Sequence, residues 1–490
     1  MSDAPPSSLA PLKGPVFRML WLAWLAANVT MWMNDVAAAW LMTSLTDSAV
    51  MVALVQAAST LPVFVLGLPS GALADIVDRR RYFAVTQLWV ACVAVVLCVC
   101  SLAGVLSAPL LLALTFANGI GMAMRWPVFA AIVPEVVSRA ELPAALALNG
   151  VAMNMSRVIG PVVAGALLAG AGSAFVFALN AALSVGAFVL ILRWKNQRKA
   201  SALPGERFLG AMRVGLQHVM QSPRMRNVLI RIFLFFLQST SLTALLPLVA
   251  RNLHGGGAGT FTLLLAAMGS GAVATALYLP RLRQNIGRDQ FVRWGTGVHA
   301  VASITVVFSP TLWLAVPAMA IAGMAWIATA NSLTLAAQMA LPNWVRARGM
   351  SIYQMALMGG SAAGAALWGQ VAGWSSVPAS ILAAAIVGPL VLLLTRKLSV
   401  DGGEDEDHSP AKPGSAAPAP LVEPQADDGP VMVTVEYLID PARADAFIEI
   451  MEQTRRARLR QGGMPGTGRP SCSCSQWPVA MAPASDTPVS

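Results

Sequence analysis

The sequence predicts an all-α membrane protein of twelve transmembrane helices in two six-helix pseudo-symmetric halves, and three observations predict it. Only 11% of the 490 residues are charged, against about 25% in a soluble domain, so water alone is not the solvent of this chain. The mean hydropathy is +0.64, and apolar runs of about 20 residues, enough to cross a hydrocarbon core of about 30 Å, recur up to position 396. Lys and Arg gather on alternate loops, as they do where basic turns stay on the cytoplasmic side.

The runs place spans near 18–43, 50–74, 82–104, 108–133, 144–169, 172–193, 226–250, 258–279, 291–309, 311–334, 347–372 and 377–396. The N-terminal segment, the even-numbered loops and the two residues after the last span hold 22 basic residues, against a single Arg251 on the odd loops. One missed or invented helix would exchange the two sets beyond that point. The asymmetry therefore supports an even count with both termini in the cytoplasm. It also accounts for the net charge of +10 without nucleic acid. The apolar run that follows the Pro- and Ser-rich start, Met1–Lys13, has no small-residue cleavage site before Asn34-Asp35, so the first span is itself the expected insertion signal, for a bacterial inner membrane.

The organisation follows. Segment 1–17 precedes a six-helix half over 18–193; a basic loop, 194–225, leads to the second half over 226–396. Phe208, Met212, Val214, Leu216 and Val219 give that loop the pattern of an amphipathic helix on the inner leaflet. A weak repeat relates the halves: Gly160 and Gly165 match Gly364 and Gly369, and Gly121-Met122-Ala123 matches Gly323-Met324-Ala325. Residues 397–430, rich in Asp, Glu, Pro, Ala and Ser, read as a disordered linker. Beyond it, 431–490 reads as one β-α unit of a cytoplasmic tail, a strand over Val431–Ile439 and a helix over Pro441–Arg460, cut off near Gly462 by truncation or frameshift. Cys92, Cys98 and Cys100 share one apolar helix and are expected as buried thiols, with Cys472 and Cys474 in the tail; this is not a disulfide framework.

One turn carries a more specific signal. Gly71-Ala-Leu-Ala-Asp75-Ile-Val-Asp78-Arg79-Arg80-Arg81, between the second and third spans, resembles the signature loop of the major facilitator superfamily. The resemblance implies alternating access, with Gly71, Asp75 and Arg79 as one side's gating latch and Glu135, at the end of the fourth span, as the candidate partner of Arg79. Ser156-Arg157-Val-Ile-Gly160-Pro161-Val-Val-Ala164-Gly165 looks like the Gly-Pro motif of that superfamily's exporters, with Ser156 and Ala164 departing from the fuller pattern. Thr115 stands where the proton-linked pattern has arginine. With Thr43-Ser-Leu-Thr46 and Leu61-Pro62, these motifs most resemble the branch of bacterial siderophore exporters, the enterobactin exporter among them, and drug-efflux proteins.

Ionisable and amide groups at membrane depth are costly and tend to mark substrate or ion paths. Asp35 and Asn28 share a face of the first span, and Arg125, Arg157, Asn149, Gln238 and Asn331 extend a polar seam across both halves. These are the cavity and coupling candidates, with Asp35 the expected proton carrier and a structural ion pair with Arg157 or Arg125 its alternative. Arg231, near the start of the seventh span, reads as snorkelling to lipid headgroups. The histidines His218, His254, His299 and His408 do not cluster, and no catalytic, metal or cofactor set is visible. The expected activity is proton-coupled export of a small molecule, siderophore-like, drug-like or metabolite, by a monomer. A non-transporting receptor or scaffold on the same body is the alternative.

Overall fold

The computed structural model describes residues 9–138, 140–194, 208–253, 256–282, 287–342, 345–400 and 445–451. A single turn of 3-10 helix, Ala10–Lys13, leads into thirteen α-helices: α1 (Pro15–Leu45), α2 (Ala49–Ile76), α3 (Arg79–Leu102), α4 (Ala108–Val136), α5 (Leu142–Gly170), α6 (Ser173–Arg193), α7 (Phe208–Gln221), α8 (Pro223–Asn252), α9 (Ala258–Leu282), α10 (Arg288–Phe308), α11 (Leu312–Ala340), α12 (Arg346–Trp374) and α13 (Val377–Leu394). The ends are set by local chemistry. Ser48, Asp78, Ser222 and Ser376 each accept a hydrogen bond from the first turn of the helix they precede, satisfying a donor that the helix leaves open. Pro62, Pro69, Pro127, Pro134 and Pro161 sit inside helices, where neighbouring helices make good the lost backbone bonds.

Eleven of these helices are long and apolar enough to cross a membrane. The twelfth long helix, α12, carries Arg346, Arg348, Gln354 and Gln370. Its polarity has a structural reason: α12 packs on α2, α8 and α13, so little of it faces outward. The short α7, expected as an amphipathic helix on the inner leaflet, packs on protein as well. It docks on α12, α2 and α8, with Val219 and His218 buried while Leu216 stays exposed. Cys92 is exposed on α3 rather than buried; Cys98 and Cys100 are partly buried, and all three are free thiols.

The helix contacts repeat. In the first half α1 packs on α5 and α6, α2 on α4, and α3 on α6; in the second half α8 packs on α12 and α13, α9 on α11, and α10 on α13. The two halves then meet through α2 against α12 and α5 against α9, a pair of contacts that one two-fold axis exchanges. Glycines show the axis residue by residue. A Cβ on Gly160 would meet Trp32 and the Val29 carbonyl of α1, and one on Gly364 would meet the Leu237 carbonyl of α8. A Cβ on Gly165 would strike Thr262 of α9, and one on Gly369 would strike Ala53 of α2.

The other half of the predicted repeat needs its register moved. Gly323 of α11 lies on the Met268 carbonyl of α9, and its counterpart by contact is Gly119, which lies on the Ser59 carbonyl of α2. Gly121 packs on Val90 and Trp89 of α3 instead. The match of Gly121 with Gly323 is two residues out of register because both strings contain Gly-Met-Ala, whereas the backbone approach is what requires glycine.

The core divides along the membrane normal. For reference, the end that carries Lys13, Arg79 and Arg346 is the arginine-rich end, and the other is the Asp47 end. Toward the Asp47 end one buried cluster takes residues from both halves, among them Met42, Val52, Ala164, Leu245, Phe261 and Ala365. Toward the arginine-rich end the buried residues fall into two clusters. One comes from the first half, around Phe17, Phe83 and Phe129; the other comes from the second half and α7, around Phe235, Leu333 and Tyr353, with Leu68 of α2 at its margin. The halves thus share their largest buried cluster at the Asp47 end, and toward the arginine-rich end they meet along α2 and α12, where Met358 packs with Val63 and Met122 and Gly71 lies near Ser351.

Arg231 is a correction to the sequence reading. It is buried, and its guanidinium donates to the carbonyls of Thr395 (2.8 Å) and Leu398 (3.2 Å) and to the Thr395 hydroxyl (3.0 Å). It does not snorkel because the C-terminal turn of α13 offers open carbonyls nearer than lipid does. Asp289 accepts from Ser399 and from the Val400 amide, holding the same stretch from α10. Arg231→Met is expected to remove about 2 kcal/mol of stability, read as a lower melting temperature of the purified protein; an unchanged melting temperature would rule out the anchor.

In the tail, 445–451 is helical, inside the helix expected over Pro441–Arg460. The strand expected over Val431–Ile439 and the break expected near Gly462 lie outside the described residues.

Candidate functional site

The site is best built from α1, α5 and α11, whose tight crossings bring large polar side chains to mid-membrane. Gly160 lets α5 lie directly against Trp32 of α1, and the Ser156 hydroxyl, one turn earlier, donates to the Ala152 carbonyl at 2.7 Å. Between them Arg157 points toward the second half. Its Cζ stands 5.4 Å from the ring centroid of Trp32 and 4.9 Å from that of Trp326 of α11. Trp326 in turn meets Phe236 of α8 edge-on at 5.4 Å. Trp32, Arg157 and Trp326 each lie near the middle of their helices. The Arg157 Nε is buried without a partner, and among the described residues the guanidinium makes no hydrogen bond or ion pair.

The other expected residues distribute differently. Asp35, a turn beyond Trp32 on α1, is partly buried and pairs with neither Arg157 nor Arg125 among the described residues. Asn28 and Arg125 lie inside the first half. Asn28 donates to the Trp24 carbonyl at 2.7 Å and leaves its Oδ1 unpaired. Arg125 donates to the Ala27 carbonyl at 3.2 Å and lies 5.7 Å from the Trp24 ring, itself stacked on Phe129 at 4.0 Å. Beside Arg125 a small cavity lined by Asn118, Asn180 and Thr30 has room for about one water. Gln238 lies inside the second half, against Gly388 and Thr296, with its Oε1 unpaired. Asn149 keeps a buried, unpaired Oδ1 on α5, and Asn331 is partly exposed on α11.

At the arginine-rich end, Arg79 begins α3 behind the Asp78 cap, and its Nη1 lies 2.6 Å from Glu135 Oε1. Both side chains are partly exposed, so this pair is worth at most about 1 kcal/mol. Gly71 packs near Ser351 of α12; the Asp75 side chain lies outside the described residues. Pro161 and Gly165 follow Gly160 along α5 toward the Asp47 end.

Sequence reasoning missed two elements. Trp326 partners Arg157 across the seam, and only contact between the halves shows it. Arg251 Nη1 of α8 donates to the Thr43 carbonyl of α1 at 2.8 Å and lies 3.3 Å from Asp47 Oδ1, fastening the two halves at the Asp47 end. Its signal was present as the single basic residue on that side. An apolar groove of about 560 Å³ between α10 and α11, lined by Val298, Val301, Leu314 and Ile321, opens outward rather than to the seam. No group of three or more His, Cys, Asp or Glu among the described residues is placed to hold a metal ion.

Comparison with known proteins adds the following. The profile of a family described as transmembrane secretion effector matches residues 6–467. The staphyloferrin A transporter of Staphylococcus aureus is 24% identical over 281 residues, which are 56% of this chain and 70% of that protein. Among solved structures, the nucleoside transporter NupG matches with a TM-score of 0.62 at 13% identity, over 78% of this chain and 99% of that one. An auto-inhibited peptide transporter of the POT family matches with a TM-score of 0.64 at 12% identity, over 81% and 99%. A bacterial homologue of the human lysosomal transporter Spinster matches with a TM-score of 0.62 at 14% identity, over 80% and 98%. At such identities the likeness is one of fold.

Proposed function

We propose that this chain, which belongs to the transmembrane secretion effector family of the major facilitator superfamily, exports small organic molecules from a bacterial cytoplasm by alternating access, with protons as the coupling ion. The observation that carries the reading is the divided core. The halves share their largest buried cluster at the Asp47 end, whereas toward the arginine-rich end each keeps its own cluster and they meet along α2 and α12, an arrangement that supports a carrier whose halves part at that end. Basic loops stay cytoplasmic, so the open side is the cytoplasmic one, both termini lie there, and cargo enters from within the cell. Asp35, at depth on α1 and without an ion-pair partner among the described residues, is the group that takes up and releases the proton.

Arg79 and Glu135 serve as the latch at the arginine-rich end, and Arg251 closes the other. The staphyloferrin A transporter among the relatives supports a siderophore-like cargo over a drug-like one. The experiment has two arms. Reporters fused after Arg81 and after Arg288 are expected on the same, cytoplasmic, face; opposite faces would overturn the topology. Everted vesicles are then expected to take up the compound that accumulates in a deletion strain when a pH gradient is imposed. A scaffold would move nothing at any gradient.

A further inference from the structure

We infer that Trp32, Arg157 and Trp326 form the cargo-recognition site, and that it takes an aromatic carboxylate; this rests on the transport reading and specifies its cargo. Arg157 carries a charge that no described residue balances. Arg157 stands near the middle of α5, about 20 Å from either end of the helix, and no described residue offers it a carboxylate or a carbonyl. Arg125 and Arg231, the other two arginines at depth, each hold main-chain carbonyls. Arg157 holds two indole faces at 5.4 and 4.9 Å. A cation at membrane depth with only ring faces for company keeps its hydrogen-bond donors unused, and a planar guanidinium fork fits a carboxylate with two parallel bonds.

The indoles supply the second half of the specificity. They come from opposite halves of the protein, and both rings lie within 5.4 Å of the Arg157 Cζ. Trp32 is fixed to Arg157 by the backbone crossing at Gly160. Trp326 belongs to α11 and travels with the second half. A flat ring carrying the carboxylate stacks on an indole as the acid group meets the fork, which an aliphatic acid does not do and an aromatic amine is repelled from doing. Because one wall moves with the other half, cargo that bridges Arg157 and Trp326 also links recognition to the change of state.

The test uses the purified whole chain in lipid nanodiscs and three probes: 1-naphthoate, cyclohexanecarboxylate and 1-naphthylmethylamine. Wild type is expected to bind naphthoate at least tenfold more tightly than either control. Arg157→Gln should abolish the preference for naphthoate over the amine. Trp326→Leu should abolish the preference over cyclohexanecarboxylate while leaving that over the amine, so the two substitutions separate charge from ring and guard against a variant that fails to fold. Equal binding of naphthoate to wild type and Arg157→Gln, or equal binding of all three probes to wild type, would overturn the site. Flux is scored separately. Arg157-dependent binding with no transport of any compound would leave the site and remove export; transport that persists while binding ignores Arg157 would do the reverse.

Discussion

Asp35→Asn is expected to lower pH-gradient-driven net transport in proteoliposomes at least tenfold while leaving substrate exchange across the same membrane intact. Exchange returns the carrier loaded with substrate and moves no proton, whereas net flux requires a site that is protonated on one side and released on the other. Asp35 is the acid available for this on α1. It lies ten residues, about 15 Å, from the Asp47 end of the helix and has no ion-pair or hydrogen-bond partner among the described residues. Asparagine keeps the size and polarity of the side chain, so the fold should survive and the loss should be confined to coupling. Net flux that keeps its pH dependence in the variant would remove Asp35 from the mechanism.

Two glycines, one from each of the pairs that the two-fold axis relates, are expected to give opposite phenotypes when filled. Gly364 lies on the Leu237 carbonyl of α8, inside one half, and a backbone atom there has nowhere to go. Gly364→Leu should cost about 3 kcal/mol or more through overpacking and leave little folded protein in the membrane. Gly165 lies on the Thr262 side chain of α9, across the seam between the halves. Gly165→Val should therefore fold, yet hold the halves apart at the Asp47 end. Cysteine labelling from that side, at an introduced site near Thr262, is expected to rise severalfold. Normal expression of Gly364→Leu, or unchanged labelling in Gly165→Val, would contradict the packing described.

Much of the architecture was legible because lipid imposes a simple rule: every span must be long and apolar, and basic loops alternate. Twelve spans could be drawn close to the helices found, α12 among them as the run over 347–372, and the arginine pattern agreed with an even number. What the sequence hides is which faces meet. The repeat of Gly160 and Gly165 with Gly364 and Gly369 is visible as text and corresponds to equivalent crossings, but the Gly-Met-Ala strings mislead by two residues because text does not show which carbonyl sits under a glycine. The polar seam was partly misplaced for the same reason. Asn28 and Arg125 turn into the first half, where the Trp24 and Ala27 carbonyls receive them, and Gln238 turns into the second. Arg231 failed as a lipid-facing residue because its partners lie more than 160 positions away.

The fastening at Arg251 has a physiological corollary. Its firmer bond goes to a main-chain oxygen on Thr43, so it is insensitive to which side chain occupies that position and survives as long as α1 keeps its helical end. Its second bond goes to Asp47, whose side chain is almost wholly solvated, and such attraction is weakened by dissolved ions over about 10 Å at 0.1 M. Brine at the Asp47 end would therefore loosen one strand of this clasp and leave the other in place.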